Sequence, residues 1–351
     1  MKYLHIMKNE KFIASFIDFI DTRFDADEHQ FIVLGGLSEQ KHPLPKHPNV
    51  LVFKKMNNPL RYLQTSKQLK PYFDRAEKVI VHSLLIRGIV DFFFHNLRYC
   101  AKAYWVIWGG DLYDYPAKRK QLKRQFYLYK KKQVIRRFAG LVTYVDGDVD
   151  LAREWYGATG KHFECLIYKS NIYSSVPVQS AAPKKEACIQ VGNSATASNH
   201  HLEIFDRLAC FARENIRVVC PLSYGNRNYR DRVMARGREL FGDKFEPLVE
   251  FMPFEEYLQL LSEIDIAVFN HKRQQGMGNI ITLLGLGKKV HLRRDVATWS
   301  LFEALGIKVF DAAEIDLQPM DAETKAENET KVKAYFSEAN LKQQLEELFK
   351  G

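Results

Sequence analysis

Short apolar runs alternate with helical patterns along the whole chain. In the first half the runs are Leu4–Ile6, Phe31–Leu34, Val50–Phe53, Val79–Val81, Trp105–Trp108 and Leu141–Tyr144. After the first run, Phe12, Phe16, Phe19 and Ile20 recur at helical spacing. Runs this short and apolar suit strands buried on both faces, and helices between them predict a parallel α/β sheet. The pattern stops near Ser170, and residues 173–186, rich in Ser, Ala and Pro, read as a linker. A second series follows at Ile189–Val191, Val218–Leu222, Ile266–Phe269, Val290–Leu292 and Lys308–Phe310. Glu255, Tyr257, Leu258, Leu261 and Ile264 mark an amphipathic helix within it. Asp321–Lys333 is polar and charged, and Leu341–Phe349 reads as a last helix. The expected organisation is an N-terminal domain over 1–172, a C-terminal domain over 187–335 and a closing helix in 336–351. Two such domains predict a cleft at the carboxyl ends of their strands, where ligands bind parallel sheets.

A length of 351 residues fits two domains. Lys and Arg total 52 against 42 Asp and Glu, a net charge of +10. That excess favours an anionic partner, whether a nucleotide, a phosphorylated lipid, a membrane surface or a nucleic acid. The five cysteines show no paired spacing, which points to reduced thiols in the cytoplasm. The most apolar stretch, Ile80–Cys100, is interrupted by His82, Arg87, Asp91, His95 and Arg98, so any membrane contact is expected from the surface.

Two segments of the second half look built to hold a phosphate. The run Cys188–Val191 enters the small polar loop Gly192–Asn199, which includes Asn193, Ser194, Ser198 and Asn199. Ser198 and Asn199 are N-cap candidates for a helix starting near His200, with Leu202, Phe205, Ala209 and Ala212 on one face. Unpaired N–H groups and the dipole at a helix start attract anions, although a plain strand–helix connection looks the same. The second segment is Arg273, Gln274, Gln275, Gly276, Met277, Gly278 and Asn279. Its glycines permit close backbone approach, and a helix is expected from about Asn279. Tyr224 and Asn226 follow another strand and either touch a base or ribose or make the turn.

In the first half, Trp108, Gly109, Gly110, Asp111 and Tyr113 follow a strand. Asp111 is expected either to act as general base on an acceptor hydroxyl or to cap the next turn. His82, ending a neighbouring strand, is the alternative base or a structural histidine. Asp146, Asp148 and Asp150 read as a helix start in preference to a metal site. Residues 117–137 form a basic helix with interleaved Leu122, Phe126, Tyr127, Tyr129 and Val134. It either lies on an anionic leaflet or presents a solvated face. Leu84–Ile86 and Phe92–Phe94 are either a landing surface for lipid or core.

The blocks Trp105–Tyr113, Val191–Ser194 with Ser198–His200, and Arg273–Gly278 resemble glycosyltransferase family 56, the 4-acetamido-4,6-dideoxy-D-galactose (Fuc4NAc) transferases of enterobacterial common antigen synthesis. Val218, Val219, Pro221 and Tyr224 fit as well, and the resemblance spans roughly Val79–Leu292. It implies a GT-B fold of two Rossmann-like domains, with no cofactor and no metal. It further implies a dTDP-sugar donor held by the C-terminal domain. The acceptor would be an undecaprenyl-diphosphate-linked glycan at the cytoplasmic face of the inner membrane. The expected enzyme is therefore a peripheral membrane glycosyltransferase, its anionic surface met by helix 117–137, with no nucleic-acid partner. A GDP- or UDP-sugar enzyme and a non-catalytic nucleotide or nucleic-acid binder are the rivals. A dinucleotide-dependent oxidoreductase would need Gly-x-Gly-x-x-Gly after the first strand, which Gly35–Gly36–Leu37 does not supply.

Overall fold

The computed structural model describes residues 1–35, 42–117, 122–174 and 186–351. Gly36 and Leu37, the basic residues Lys118, Arg119 and Lys120, and most of the expected linker lie outside the described residues. The chain divides into two compact units, Met1–Ser170 with Glu338–Gly351, and Asn171–Ser337.

The first unit holds seven parallel strands: β1 (Tyr3–Met7), β2 (His29–Leu34), β3 (Val50–Phe53), β4 (Lys78–His82), β5 (Ala103–Val106), β6 (Gly140–Val142) and β7 (Lys161–Phe163). Their order is β3-β2-β1-β4-β5-β6-β7. Alternate residues face opposite sides. Leu4, Ile6, Ile32, Leu34, Val79, Val81, Trp105 and Leu141 pack under the helices Pro59–Arg75, Arg87–His95, Leu122–Ile135 and Asp146–Tyr156. On the other side, the His5 ring lies 5.6 Å from Phe16 of the helix Ile13–Arg23 and 6.1 Å from Phe349 of the closing helix. That closing helix, Glu338–Lys350, belongs to the first unit and not to the domain before it in sequence. Tyr3 donates to the Phe349 carbonyl at 3.0 Å, Lys78 to that of Leu348 at 2.6 Å, and Gln344 accepts from Leu166 N at 2.9 Å.

The second unit has six parallel strands: β8 (Ala187–Val191), β9 (Ile216–Pro221), β10 (Phe245–Leu248), β11 (Ile266–Phe269), β12 (Lys289–Leu292) and β13 (Phe310–Asp311), ordered β10-β9-β8-β11-β12-β13. The last strand lies slightly later than its apolar run suggests. β7 and β10 lack a clear apolar run; both are edge strands, a position that tolerates the polar residues of β7 and Pro247 of β10. The charged stretch after Asp321 is a helix, Ala322–Tyr335, started by the Asp321 carboxylate accepting from Thr324 N at 2.8 Å. Among the described residues no helix is long and apolar enough to cross a membrane.

Strand order fixes where each sheet can hold a ligand. It reverses between β1 and β4 in the first unit and between β8 and β11 in the second. Loops leaving the carboxyl ends of such a pair diverge and leave a crevice.

Candidate active site

In the second unit, the two suspected phosphate loops leave β8 and β11, the pair at the reversal. Gly192 turns the chain with φ +68°, and a Cβ there would stand 2.5 Å from His201 Nε2. Asn199 joins the two loops. Its Oδ1 accepts from Asn193 N at 2.9 Å and from His271 Nε2 at 2.7 Å, while its Nδ2 donates to Ser194 O at 3.0 Å and Thr196 Oγ1 at 2.8 Å. His271 must therefore carry its proton on Nε2, and burial lowers its pKa to about 3, keeping it neutral.

Gln275 makes the second junction. Its Oε1 accepts from Ser198 Oγ at 2.7 Å and Arg273 Nε at 3.0 Å, and its Nε2 donates to Asn193 Oδ1 at 3.2 Å and Thr196 Oγ1 at 3.2 Å. Asn193 Nδ2 donates to Tyr224 OH at 3.1 Å. Gly276, with φ +71°, starts the helix Met277–Gly285, and a Cβ there would meet His271 at 3.1 Å and Asn193 at 3.3 Å. The first N–H groups of that helix have no intrahelical acceptor. Gly278 lies in its first turn, Asn279 is held by a 2.8 Å bond to Tyr257 OH, and Gln274 and Arg273 are half-buried beside it. Helix dipole, Arg273 and a rim of hydroxyl and amide groups together have the chemistry to attract an anion.

One expectation here is corrected. Ser198 and Asn199 do not cap a helix: the helix is His201–Leu208, and the left-handed His200 precedes it. Asn199 is buried because it braces the loop. Of the two turn residues, Asn226 caps the helix Arg227–Phe241 by accepting from Tyr229 N at 2.9 Å, whereas Tyr224 belongs to the loop network.

The first unit overturns the proposed base. Asp111 sits in the short helix Gly109–Leu112 and is fully buried. Its Oδ2 accepts from Leu84 N at 2.6 Å and Trp105 Nε1 at 2.8 Å, and its Oδ1 from Trp108 N at 2.8 Å. Burial raises its pKa to about 6, opposed by Lys131 and by these donors. The carboxylate ties the loop after β4 to the turn after β5 and faces no solvent, so it has no route to an acceptor hydroxyl. Gly109 is buried with it, and Trp108, Gly110 and Tyr113 are half-buried. Tyr113 OH donates to buried Asp148 at 3.1 Å, within the helix Asp146–Tyr156.

His82 is also fully buried, with both ring nitrogens engaged. They lie 2.8 Å from Tyr168 OH and 3.1 Å from His5 Nδ1, and His5 Nε2 lies 3.0 Å from His29 Nδ1. Trp108 Nε1 can only donate, and it reaches Tyr168 OH at 3.2 Å. The bonds then run in one sense, from Trp108 through Tyr168, His82 and His5 to His29. Burial lowers His82 to about 3 and His29 to about 4. This is a structural spine across the sheet, not a base.

The basic helix is Leu122–Ile135, and its charges are not all superficial. Lys131 is fully buried, donating to the Asp111 carbonyl, to Asp114 at 2.9 Å and to Tyr156 at 3.3 Å. Lys130 pairs with Asp91. Leu84, Phe92 and Phe93 are core, so half of the suspected landing surface is internal, while Leu85 is exposed and Ile86 and Phe94 are half-buried.

A family model described as 4-alpha-L-fucosyltransferase, glycosyl transferase group 56, matches residues 20–349. The chain belongs to this family. Solved structures similar in fold include sucrose-phosphate synthase from Thermosynechococcus elongatus, at 12% identity and TM-score 0.69, covering 100% of this chain and 98% of that one. Anabaena HepE in complex with UDP and glucose gives 13% identity and TM-score 0.68, covering 100% of each chain. A glycosyltransferase from Rickettsia africae gives 14% and 0.65, covering 99% and 98%. The fold is GT-B, and the protein is a glycosyltransferase, not an oxidoreductase or a non-catalytic binder.

For this family 56 enzyme, sequence reasoning missed residues that only strand order exposes. The turn after β1, Lys8–Asn9–Glu10, stands at the reversal of the first sheet. The side chain of Glu10 is 30% exposed and paired with Lys8, so it is an accessible carboxylate where Asp111 is not. Ser83, after β4, holds the strained φ of +76° on the other side of that reversal. Behind the flagged loop residues, His271 is buried against Asn199, and half-buried Tyr257 holds Asn279.

Proposed function

We propose that this glycosyltransferase moves a Fuc4NAc- or fucose-like deoxysugar from a dTDP-sugar to an undecaprenyl-diphosphate-linked glycan at the cytoplasmic face of the inner membrane. The observation that carries the donor half is the junction of the two loops through Gln275 and Asn199 at the start of helix Met277–Gly285. Asn193, Ser194, Ser198, Arg273, Gln274, Gln275, Gly276, Gly278 and Asn279 would hold the diphosphate and sugar, with Tyr224 at the rim. Asn199 would act behind them, as a positioning residue. The family description supports a deoxysugar, and HepE, crystallised with UDP, supports a nucleoside diphosphate. The dTDP donor and the lipid-linked acceptor rest on the sequence resemblance.

The leaving group is a nucleoside diphosphate that gains negative charge as the glycosidic bond breaks. Arg273 and the helix N-terminus stabilise that charge where it develops. In a direct displacement the acceptor hydroxyl must lose a proton as the new C–O bond forms. Glu10, accessible at the reversal of the first sheet, takes the role that Asp111 cannot fill.

A thermal-shift series with dTDP, UDP, GDP, CMP and NAD tests the donor half. Stabilisation by dTDP above the others is expected; preference for UDP or GDP reassigns the donor, and no response to any removes the site. Transfer from dTDP-Fuc4NAc to a short-chain lipid-diphosphate acceptor tests the rest.

A further inference from the structure

We propose that the helices Pro59–Arg75, Arg87–His95 and Leu122–Ile135 together form one docking face for an anionic lipid bilayer. The proposal rests on the lipid-linked acceptor above and adds the surface that reaches it. All three helices pack into one core cluster, so they lie on the same side of the first sheet and their outer faces form one layer. That layer carries large apolar side chains that the core does not use. Leu60 is 66% exposed, Leu63 65%, Phe126 60% and Tyr129 53%.

These residues are placed by periodicity. In Pro59–Arg75 the buried residues are Thr65, Ser66, Leu69 and Phe73. Leu60 and Leu63, three apart, lie on the opposite strip with Lys67. In Leu122–Ile135, Phe126 and Tyr129 are likewise three apart, with stacked rings 6.5 Å between centroids. Contacts cross from helix to helix: Tyr129 to Phe94 at 6.2 Å, Phe94 to His95 at 5.7 Å, and His95 Nδ1 to Tyr62 OH at 2.8 Å.

Charge selects the partner. Residues 122–135 contain no acid, and residues 59–75 contain one, Asp74, paired with Arg98 at 3.0 Å. Arg61, Lys67, Lys70, Arg87, Arg124 and Lys132 are exposed across the layer. The fourth helix on this side, Asp146–Tyr156, carries four acids against one base and lies outside the face; on the other side of the sheet, Ile13–Arg23 and Glu338–Lys350 each carry more acids than bases. Protruding leucines and aromatics among cations suit the headgroup region: rings sit at the interface, and cations are drawn to an anionic surface.

The test is co-sedimentation of the full chain with phosphatidylcholine vesicles, with and without phosphatidylglycerol. Binding is expected only with phosphatidylglycerol, weakening as salt rises. The pairs L60E/L63E and F126E/Y129E should each weaken it about tenfold or more while leaving melting temperature and the dTDP response unchanged. A third pair, K67E/K70E, alters only charge and should flatten the salt dependence. Equal binding to neutral vesicles, or wild-type binding by the L60E/L63E pair, overturns the proposal. Vesicle binding can fail while the dTDP response and transfer to a detergent-dispersed acceptor persist; the docking face is then wrong and the transferase reading stands. If none of the nucleotides has an effect, that reading fails on its own.

Discussion

Asp111 and Gln275 are both surrounded by hydrogen bonds, and the contrast between them separates structure from site. The partners of Asp111 are two backbone N–H groups and the indole of a buried Trp, all sealed from water. The partners of Gln275 are side chains from two loops, and the residue is half-buried at the reversal of its sheet. A buried carboxylate held by fixed donors stabilises a fold; it cannot exchange those donors for a substrate. A side-chain network at a helix start can open to admit a diphosphate and re-form around it. Acid at the end of a strand was thus a poor guide until its direction was known.

The sharpest way to break this comparison is Asp111→Ala. It leaves three buried donors without an acceptor, so a loss of about 3–5 kcal/mol in stability is expected, measured by thermal or urea unfolding. Unchanged stability with lost turnover would return Asp111 to the chemistry. Glu10→Gln should do the reverse, lowering kcat about 100-fold or more with the melting temperature held. Full activity of that variant would clear Glu10 of the role. Gly192→Ala forces a Cβ against His201 at a left-handed φ. It should cost about 2 kcal/mol and weaken dTDP binding, checked by calorimetry. Gln275→Ala removes one junction without burying anything, so about a tenfold rise in the dTDP dissociation constant is expected at constant stability.

Acid should expose the spine of the first unit. His82 and His29 are lowered by burial from an ordinary 6.5 to about 3 and about 4, and His201 and His271 of the second unit to about 3. A depressed histidine gives stability that is present above pH ~6.5 and lost as pH falls through the folded value. Asp111 and Asp148, raised by burial to about 6 and about 7, act oppositely, losing stability as pH rises from ~4 through those values. The histidines outnumber them, so the melting temperature should fall by about 10 °C from pH 7 to pH 4. His82→Phe should shrink that drop, because it removes one group that must stay neutral.

The parallel sheets were legible because strands buried on both faces need short apolar runs. β7 and β10 were not, since Lys161 and His162 in one and Glu246 and Pro247 in the other interrupt the apolar run, which an edge position does not require. The two loops of the second unit were legible from Gly192 and Gly276, whose positive φ demands glycine. Their meeting through Gln275 and Asn199 was not, because these residues lie about 80 positions apart, and the sheet order that brings them together is not written locally.

Sequence by itself determined two α/β units, the small-residue turns and the excess of positive charge, because each depends on neighbours in the chain. Tertiary structure alone decided which polar groups face inward. Asp111, His82 and Lys131 have the same local character as surface residues, but the sheet and its covering helices close over them. Glu10 and the Gln275 network stay open because adjacent strands send their chains to opposite sides there.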